Sequence, residues 1–182
     1  MTKGQRGFLF DAGRCVLCHA CEVACQAAHG LSPQMQWRKV VEVWEGHFPA
    51  VTRTFVSISC LHCAEPPCQR ACPSGAISKR TENGVVVVDG QLCTGCRECY
   101  EACPRRVPQF GADGVMGKCD LCLDRAAPAC AAACPTAALR SGTMAELADL
   151  ARKRGGKRLA GAEGPALFVC GPQIPVELMR LP

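Results

Sequence analysis

The residues of this chain that can do chemistry are its cysteines. There are 17 in 182 residues, and sixteen fall into four groups: Cys15, Cys18, Cys21, Cys25; Cys60, Cys63, Cys68, Cys72; Cys93, Cys96, Cys99, Cys103; Cys119, Cys122, Cys130, Cys134. Cys170 stands apart. Disulfides fit poorly, because the total is odd and three thiols two residues apart are too crowded for each to find its own partner. The chain is also long for a small secreted scaffold stapled by disulfides. Structural zinc takes two close pairs rather than a triplet followed by a fourth Cys and a Pro. The third group, CTGCRECYEACP, reads C-x2-C-x2-C-x3-C-P, which is the bacterial ferredoxin run for a 4Fe–4S cluster. The first group has the same Cys spacing with Gln26 in place of Pro. The second and fourth lengthen only the segment before the third Cys, where a ferredoxin loop can bulge. Four groups of four imply four 4Fe–4S clusters, held through iron by the sixteen Cys.

In two-cluster ferredoxins each run gives three ligands to one cluster and its last Cys to the other, so runs come in pairs. Between the second and third groups lies SGAISKRTENGVVVVDG, which reads as a short helix after Cys72, an Asn83-Gly84 turn and an apolar strand. That is the content of a two-cluster core, and it leaves the first and fourth groups to pair with each other. The expected sets are Cys60, Cys63, Cys68 with Cys103; Cys93, Cys96, Cys99 with Cys72; Cys15, Cys18, Cys21 with Cys134; and Cys119, Cys122, Cys130 with Cys25. Pairing of the first group with the second is the alternative.

From FLFDAGRCVLCHACEVAC through SISCLHCAEPPCQRACPSGAISKR and GVVVVDGQLCTGCRECYEACP to GKCDLCLDRAAPACAAACPTAAL, residues 8 to 139, the chain resembles the four-cluster iron–sulfur subunit of dimethyl sulfoxide reductase-type molybdoenzymes. Polysulfide, thiosulfate and tetrathionate reductases use the same subunit type. The resemblance implies the cross-pairing above, and, because Cys96 is present where some relatives carry Trp and a three-iron cluster, four cubanes. It also implies a partner carrying molybdenum or tungsten bis-pterin and a membrane subunit that handles quinol. The sequence departs from relatives after Cys103, where PRRVPQF carries Arg105 and Arg106. Two cations there would favour the more negative reduced cluster and raise its potential.

The elements that position these groups are short. With 5% aromatic residues and much loop, the fold class is expected to be α+β: two ferredoxin-like modules with short β-hairpins and short helices. One module takes residues 1–50 and 110–140, the other 51–109, and 141–182 forms a C-terminal helix and tail that wraps the modules or reaches a partner. Strands are expected at Gly7 to Asp11, Val51 to Ser59 and Val85 to Asp89. Trp37, Trp44 and Phe48, in the insertion before the second group, are read as cover for a cluster rather than an interface. A capping box, Thr143 to Glu146, opens a helix that Gly155 ends, and the basic run Arg152 to Arg158 then sits at the negative end of its dipole. Chelating the iron is expected to unfold much of the chain.

Composition narrows the function. The formal charge is +5, but four oxidised cubanes at about −2 each bring the total to about −3. The basic balance is thus no evidence for nucleic acid. No apolar stretch approaches the ~20 residues of a spanning helix, and no secretory signal precedes Cys15. The expected location is therefore peripheral, membrane-associated only through partners, or cytoplasmic. His19 and His62 sit inside cluster loops, where a full set of thiolates leaves no coordination vacancy; His29 and His47 have no partner motif. Cys170 reads as a buried small apolar residue. Nothing resembles a nucleophile with its base or a phosphate loop. The expected role is a non-catalytic electron-transfer subunit with no direct substrate. One alternative is the equivalent subunit of a soluble tungsten aldehyde oxidoreductase, formate dehydrogenase or hydrogenase complex with a flavin subunit. A redox-sensing regulator is the other, and it would need an output domain that the stretch after Cys134 does not provide.

Overall fold

A computed structural model of the chain describes residues 4–171. In order, its elements are β1 (Arg6–Asp11), α1 (Ala20–His29), β2 (Arg38–Glu45), β3 (Thr52–Ser59), α2 (Pro67–Arg70), β4 (Ile77–Lys79), β5 (Val86–Val88) and α3 (Glu98–Ala102). There follow β6 (Gln109–Phe110), β7 (Met116–Gly117), α4 (Ala129–Ala132), β8 (Leu139–Thr143), α5 (Met144–Lys153), β9 (Lys157–Arg158) and β10 (Leu167–Cys170). The mixture of small strands and short helices is α+β.

One four-stranded sheet, in the order β8-β1-β10-β9, joins the beginning of the chain to its end. β1 runs antiparallel to β8 and parallel to β10. Its residues alternate between two buried faces: Phe8 and Phe10 pack with the cysteine-bearing core, whereas Leu9 packs with Leu147, Ala151 and Cys170. Double burial explains why FLF and LFVC are uninterrupted apolar runs rather than alternating ones. It also explains the seventeenth cysteine, since Cys170 lies on the face turned away from the other sixteen.

The remaining strands form three antiparallel hairpins, β2-β3, β4-β5 and β6-β7. The observed β1, β3 and β5 fall where apolar patterning put strands, within a residue or two of the expected ends. The short helix expected after Cys72 is instead strand β4, paired Ile77↔Val88 with β5 around the Asn83-Gly84 turn. Pro73 prevents helix from continuing through Cys72, and the N–H groups of Ala76 and Ile77 turn to the Cys72 sulfur. Trp44 and Phe48 do not cover a cluster: they sit at the β2-β3 tip, 61% and 93% exposed, with Arg53 over the Trp44 ring. Only Trp37 is inward, its ring 4.6 Å from that of His29.

Proline also sets the lengths of the helices between cysteines. α2, α3 and α4 span four to five residues and stop before the Cys-Pro pairs at 72, 103 and 134. α1 has Gln26 where the others have Pro, runs on through Cys25 and covers ten residues. At the other end of the chain, Thr143 and Glu146 form a reciprocal capping box at the start of α5. Arg152 and Lys153 occupy its last turn, and Gly155 follows at φ 66°. Residues 172–182 of the expected C-terminal segment lie outside the described residues.

Candidate metal centre

Each cysteine group begins with the same backbone device. The second residue after its first Cys is left-handed: Leu17 (φ 53°), His62 (φ 44°), Gly95 (φ 70°) and Leu121 (φ 61°). A left-handed residue tightens the turn, so that cysteines three apart face one space. For the three non-glycine residues the conformation costs about 1–2 kcal/mol each, a strain the surrounding fold must hold in place.

The fold then brings distant groups together. Cys15, Cys18, Cys21 and Cys134 line one pocket. Cys72, Cys93, Cys96 and Cys99 line another. Cys63 lies in the electrostatic field of Cys60, Cys68 and Cys103, and Cys25 in that of Cys122 and Cys130, which also acts on Cys119. The field reaches between neighbouring sets as well: Cys130 acts on Cys21, Cys60 on Cys119, and Cys99 on Cys68. Cys18 and Cys96 are exposed, whereas Cys25, Cys60, Cys68, Cys99, Cys119, Cys122 and Cys130 are buried.

The Cys-Pro turns supply donors. The Cys103 sulfur receives the N–H groups of Val107, Arg105 and Arg106, yet desolvation dominates and its thiol pKa is raised. At Cys72 desolvation is outweighed by the Ser74 hydroxyl and the N–H groups of Ile77, Ala76 and Ser74, so its pKa is lowered. At Cys134 the N–H of Leu139, 3.4 Å from sulfur, and the Thr136 hydroxyl do the same. Elsewhere burial prevails: it pushes the Cys25, Cys63 and Cys68 thiols up to about 12, and Cys21 and Cys99 to about 11. Thiolates in such places need a metal to hold their charge.

Cations are buried among them. Arg38, 3% exposed, donates to Ser57 Oγ at 2.7 Å and Ser59 Oγ at 3.0 Å. Lys118, equally buried, donates to the Val86 and Cys119 carbonyls, and its charge acts on Cys68. His62 is wholly buried. Desolvation first, then the charges of Lys118, Lys79 and Arg38, lower its pKa well below the usual imidazole range. His62 is therefore neutral, and its Nδ1 accepts from the Val86 N–H at 3.1 Å. The two arginines after Cys103 are tempered by carboxylates. Arg105 is buried and pairs with Glu163 at 3.3 Å; Arg106 is half-exposed, 3.7 Å from Glu101 and stacked over Tyr100. His29, at the end of α1, approaches the Cys122 sulfur at 3.3 Å and Asp120 at 3.6 Å.

These surroundings fit 4Fe–4S clusters. Each space offers a set of soft thiolate donors, as such clusters require, with His29 and Asp120 beside Cys122 the one mixed group among the described residues. Among the described residues, Trp37 Nε1, Arg38 Nε and His62 Nε2 are buried N–H donors without a protein acceptor, a complement suited to an electron-rich sulfur cage.

Residues 51–144 match the 4Fe-4S dicluster domain family. The B subunit of the anaerobic dimethyl sulfoxide reductase of Escherichia coli (strain K12) is 40% identical over 95% of this protein and 88% of its own length. The thiosulfate reductase electron transfer subunit of Salmonella typhi is 40% identical over 78% of both proteins. The formate dehydrogenase iron-sulfur subunit of Wolinella succinogenes is 34% identical over 88% and 92%. The protein belongs to this family of iron–sulfur subunits. It is a non-catalytic electron-transfer subunit of an oxidoreductase complex, and its cysteine count fits four 4Fe–4S clusters.

Arg38, Lys118 and His29 escape a reading of the sequence. Nothing in WRKVVEV distinguishes a buried Arg from a solvated one, because the strand's cover comes from Phe8, thirty positions earlier. Only the parity of β2 carries a signal: Arg38 shares its face with the buried Val40.

Proposed function

We propose that the chain carries electrons singly along four clusters held by Cys15, Cys18, Cys21, Cys134; Cys25, Cys119, Cys122, Cys130; Cys60, Cys63, Cys68, Cys103; and Cys72, Cys93, Cys96, Cys99, in that order. The observation that carries the reading is the convergence of Cys134 on Cys15, Cys18 and Cys21 and of Cys72 on Cys93, Cys96 and Cys99, with exposed cysteines in these two sets, and the order follows the fields that link Cys21 with Cys130, Cys119 with Cys60 and Cys68 with Cys99. A bound cubane supplies one-electron chemistry, with a potential tuned by charge, hydrogen bonds and exposure. The protein's part is to exclude water from the two middle sets, to aim N–H groups at Cys72, Cys103 and Cys134, and to hold cations between sets.

The partners follow in the same reading. A catalytic subunit with molybdenum or tungsten bis-pterin meets one exposed end, and a membrane subunit that handles quinol meets the other. Residues 1–50 with 110–140, and 51–109, form the two ferredoxin-like modules. In the described residues no helix is long and apolar enough to cross a membrane. Because a formate dehydrogenase subunit is among the relatives, a complex with a flavin subunit in place of the membrane subunit is the second reading.

Purification without oxygen through a tag on this chain, followed by intact-complex mass spectrometry and metal analysis, tests the proposal. About sixteen iron atoms per copy beyond those of the partner, with molybdenum or tungsten, are expected. A flavin subunit would select the second reading, and zinc or few iron atoms would overturn both.

A further inference from the structure

Arg38 is a cation in a place where a cation is costly. It opens β2 opposite Ser59 of β3, and its guanidinium lies over the Phe8 ring at 4.4 Å. Its two Nη atoms are taken by serine hydroxyls, which are neutral, and Nε meets no protein acceptor. Among the described residues no carboxylate pairs with it. A buried guanidinium with no carboxylate partner costs several kcal/mol, and unlike lysine or histidine it cannot shed its proton. The fold keeps it there, so something must balance the charge.

Besides the neutral His62, the groups within its field are cysteines. Arg38 acts on Cys21 of the first set and on Cys25 and Cys119 of the second, and its own strongest partners are Cys130, Cys119 and Cys21. Ser57, which holds one Nη, lines the pocket of Cys15, Cys18, Cys21 and Cys134, and the guanidinium also hydrogen-bonds the Cys130 side chain of the second set, so it stands between the two. A fixed positive charge favours whichever state of a neighbour is more negative, and for a cluster that is the reduced state. Arg105, by contrast, faces Glu163, so its effect on the neighbouring set is partly offset.

We propose that Arg38 is the shared internal counter-charge of the first two clusters, a fixed charge that raises both reduction potentials together. This rests on the four-cluster reading above. The remaining two clusters should feel it less, since the charge of Arg38 is not among those acting on Cys63, Cys68 or Cys99.

The test uses the whole complex, purified without oxygen as wild type, Arg38→Gln and Arg38→Lys. Iron content and redox titrations followed by electron paramagnetic resonance are measured on each. In Arg38→Gln, two clusters are expected to show at least a tenfold lower ratio of reduced to oxidised form at a fixed potential, a shift of about 59 mV. The other two should change by less than threefold. Arg38→Lys, which keeps the charge and loses the fork, should stay within threefold of wild type. Unchanged clusters in Arg38→Gln, or four that shift equally, would overturn the proposal. Should Arg38→Gln fail to assemble, a tenfold fall in Arg38→Lys at full iron content would overturn it as well. Wild type without about sixteen irons would instead sink the four-cluster reading itself.

Discussion

Replacing Glu163 by Gln removes the carboxylate that faces Arg105 beside the third set of cysteines. At the observed 3.3 Å and an effective dielectric of about 20, the pair's gross attraction is about 5 kcal/mol. Breaking a buried pair from one side costs about 3–5 kcal/mol, so the thermal midpoint of the complex should fall. The potential should move the other way. Glu163 also acts on Cys63, and a unit charge over ~8 Å at the same dielectric is worth about 2 kcal/mol, or about 90 mV for one electron. The cluster assigned to Cys60, Cys63, Cys68 and Cys103 should therefore titrate higher by tens of millivolts. Arg105→Gln should lower it, and the double variant should shift less than either single one. A redox titration in which Glu163→Gln leaves this cluster unmoved or lowers it, with iron content intact, would refute the electrostatic reasoning.

Two further outcomes are expected. Leu9→Ala empties a fully buried site against Leu147 and Ala151 and should cost about 2–5 kcal/mol, yet leave every cluster potential in place, because that face of the sheet carries no ligand; a moved potential in thermal and redox assays of the same sample would contradict the two-faced sheet. Gln26→Pro should shorten α1, remove the Gln26 Nε2 bond to the Met35 carbonyl and draw His29 away from Cys122. The expected loss is about 3 kcal/mol, visible as a midpoint lowered by about 6–12 °C, and an unaltered midpoint would show that the helix does not need this residue.

The chemistry of the chain is legible in its sequence because cluster ligation depends on local spacing, and spacing survives in one dimension. The same holds for the Asn83-Gly84 turn, the Thr143–Glu146 box and the apolar cores of β1, β3 and β5, all set by neighbours a few residues away. What is not legible depends on distant cover. Ile77 reads equally well as helix or strand until Val88 pairs with it. Trp44 and Phe48 look like core by type, but the hairpin carries them beyond the packed layer. Arg105 looks like an uncompensated cation until Glu163, far along the chain, arrives beside it.

The interleaving of the first and fourth groups has a consequence for biosynthesis. On the proposed ligand sets, the second and third groups are complete once Cys103 has left the ribosome. The other two sites are complete only when Cys130 and then Cys134 follow, the last about 2–6 s later at about 5–20 residues per second. During that interval Cys15, Cys18, Cys21 and Cys25 wait as thiols without their last partners. Loading should therefore run from the middle of the chain outward, and iron appearing first at the N-terminal group of nascent chains would exclude that order. The arrangement makes the newest part of the polypeptide the licence for the oldest: the N-terminal cysteines can take their iron only after most of the chain has been made.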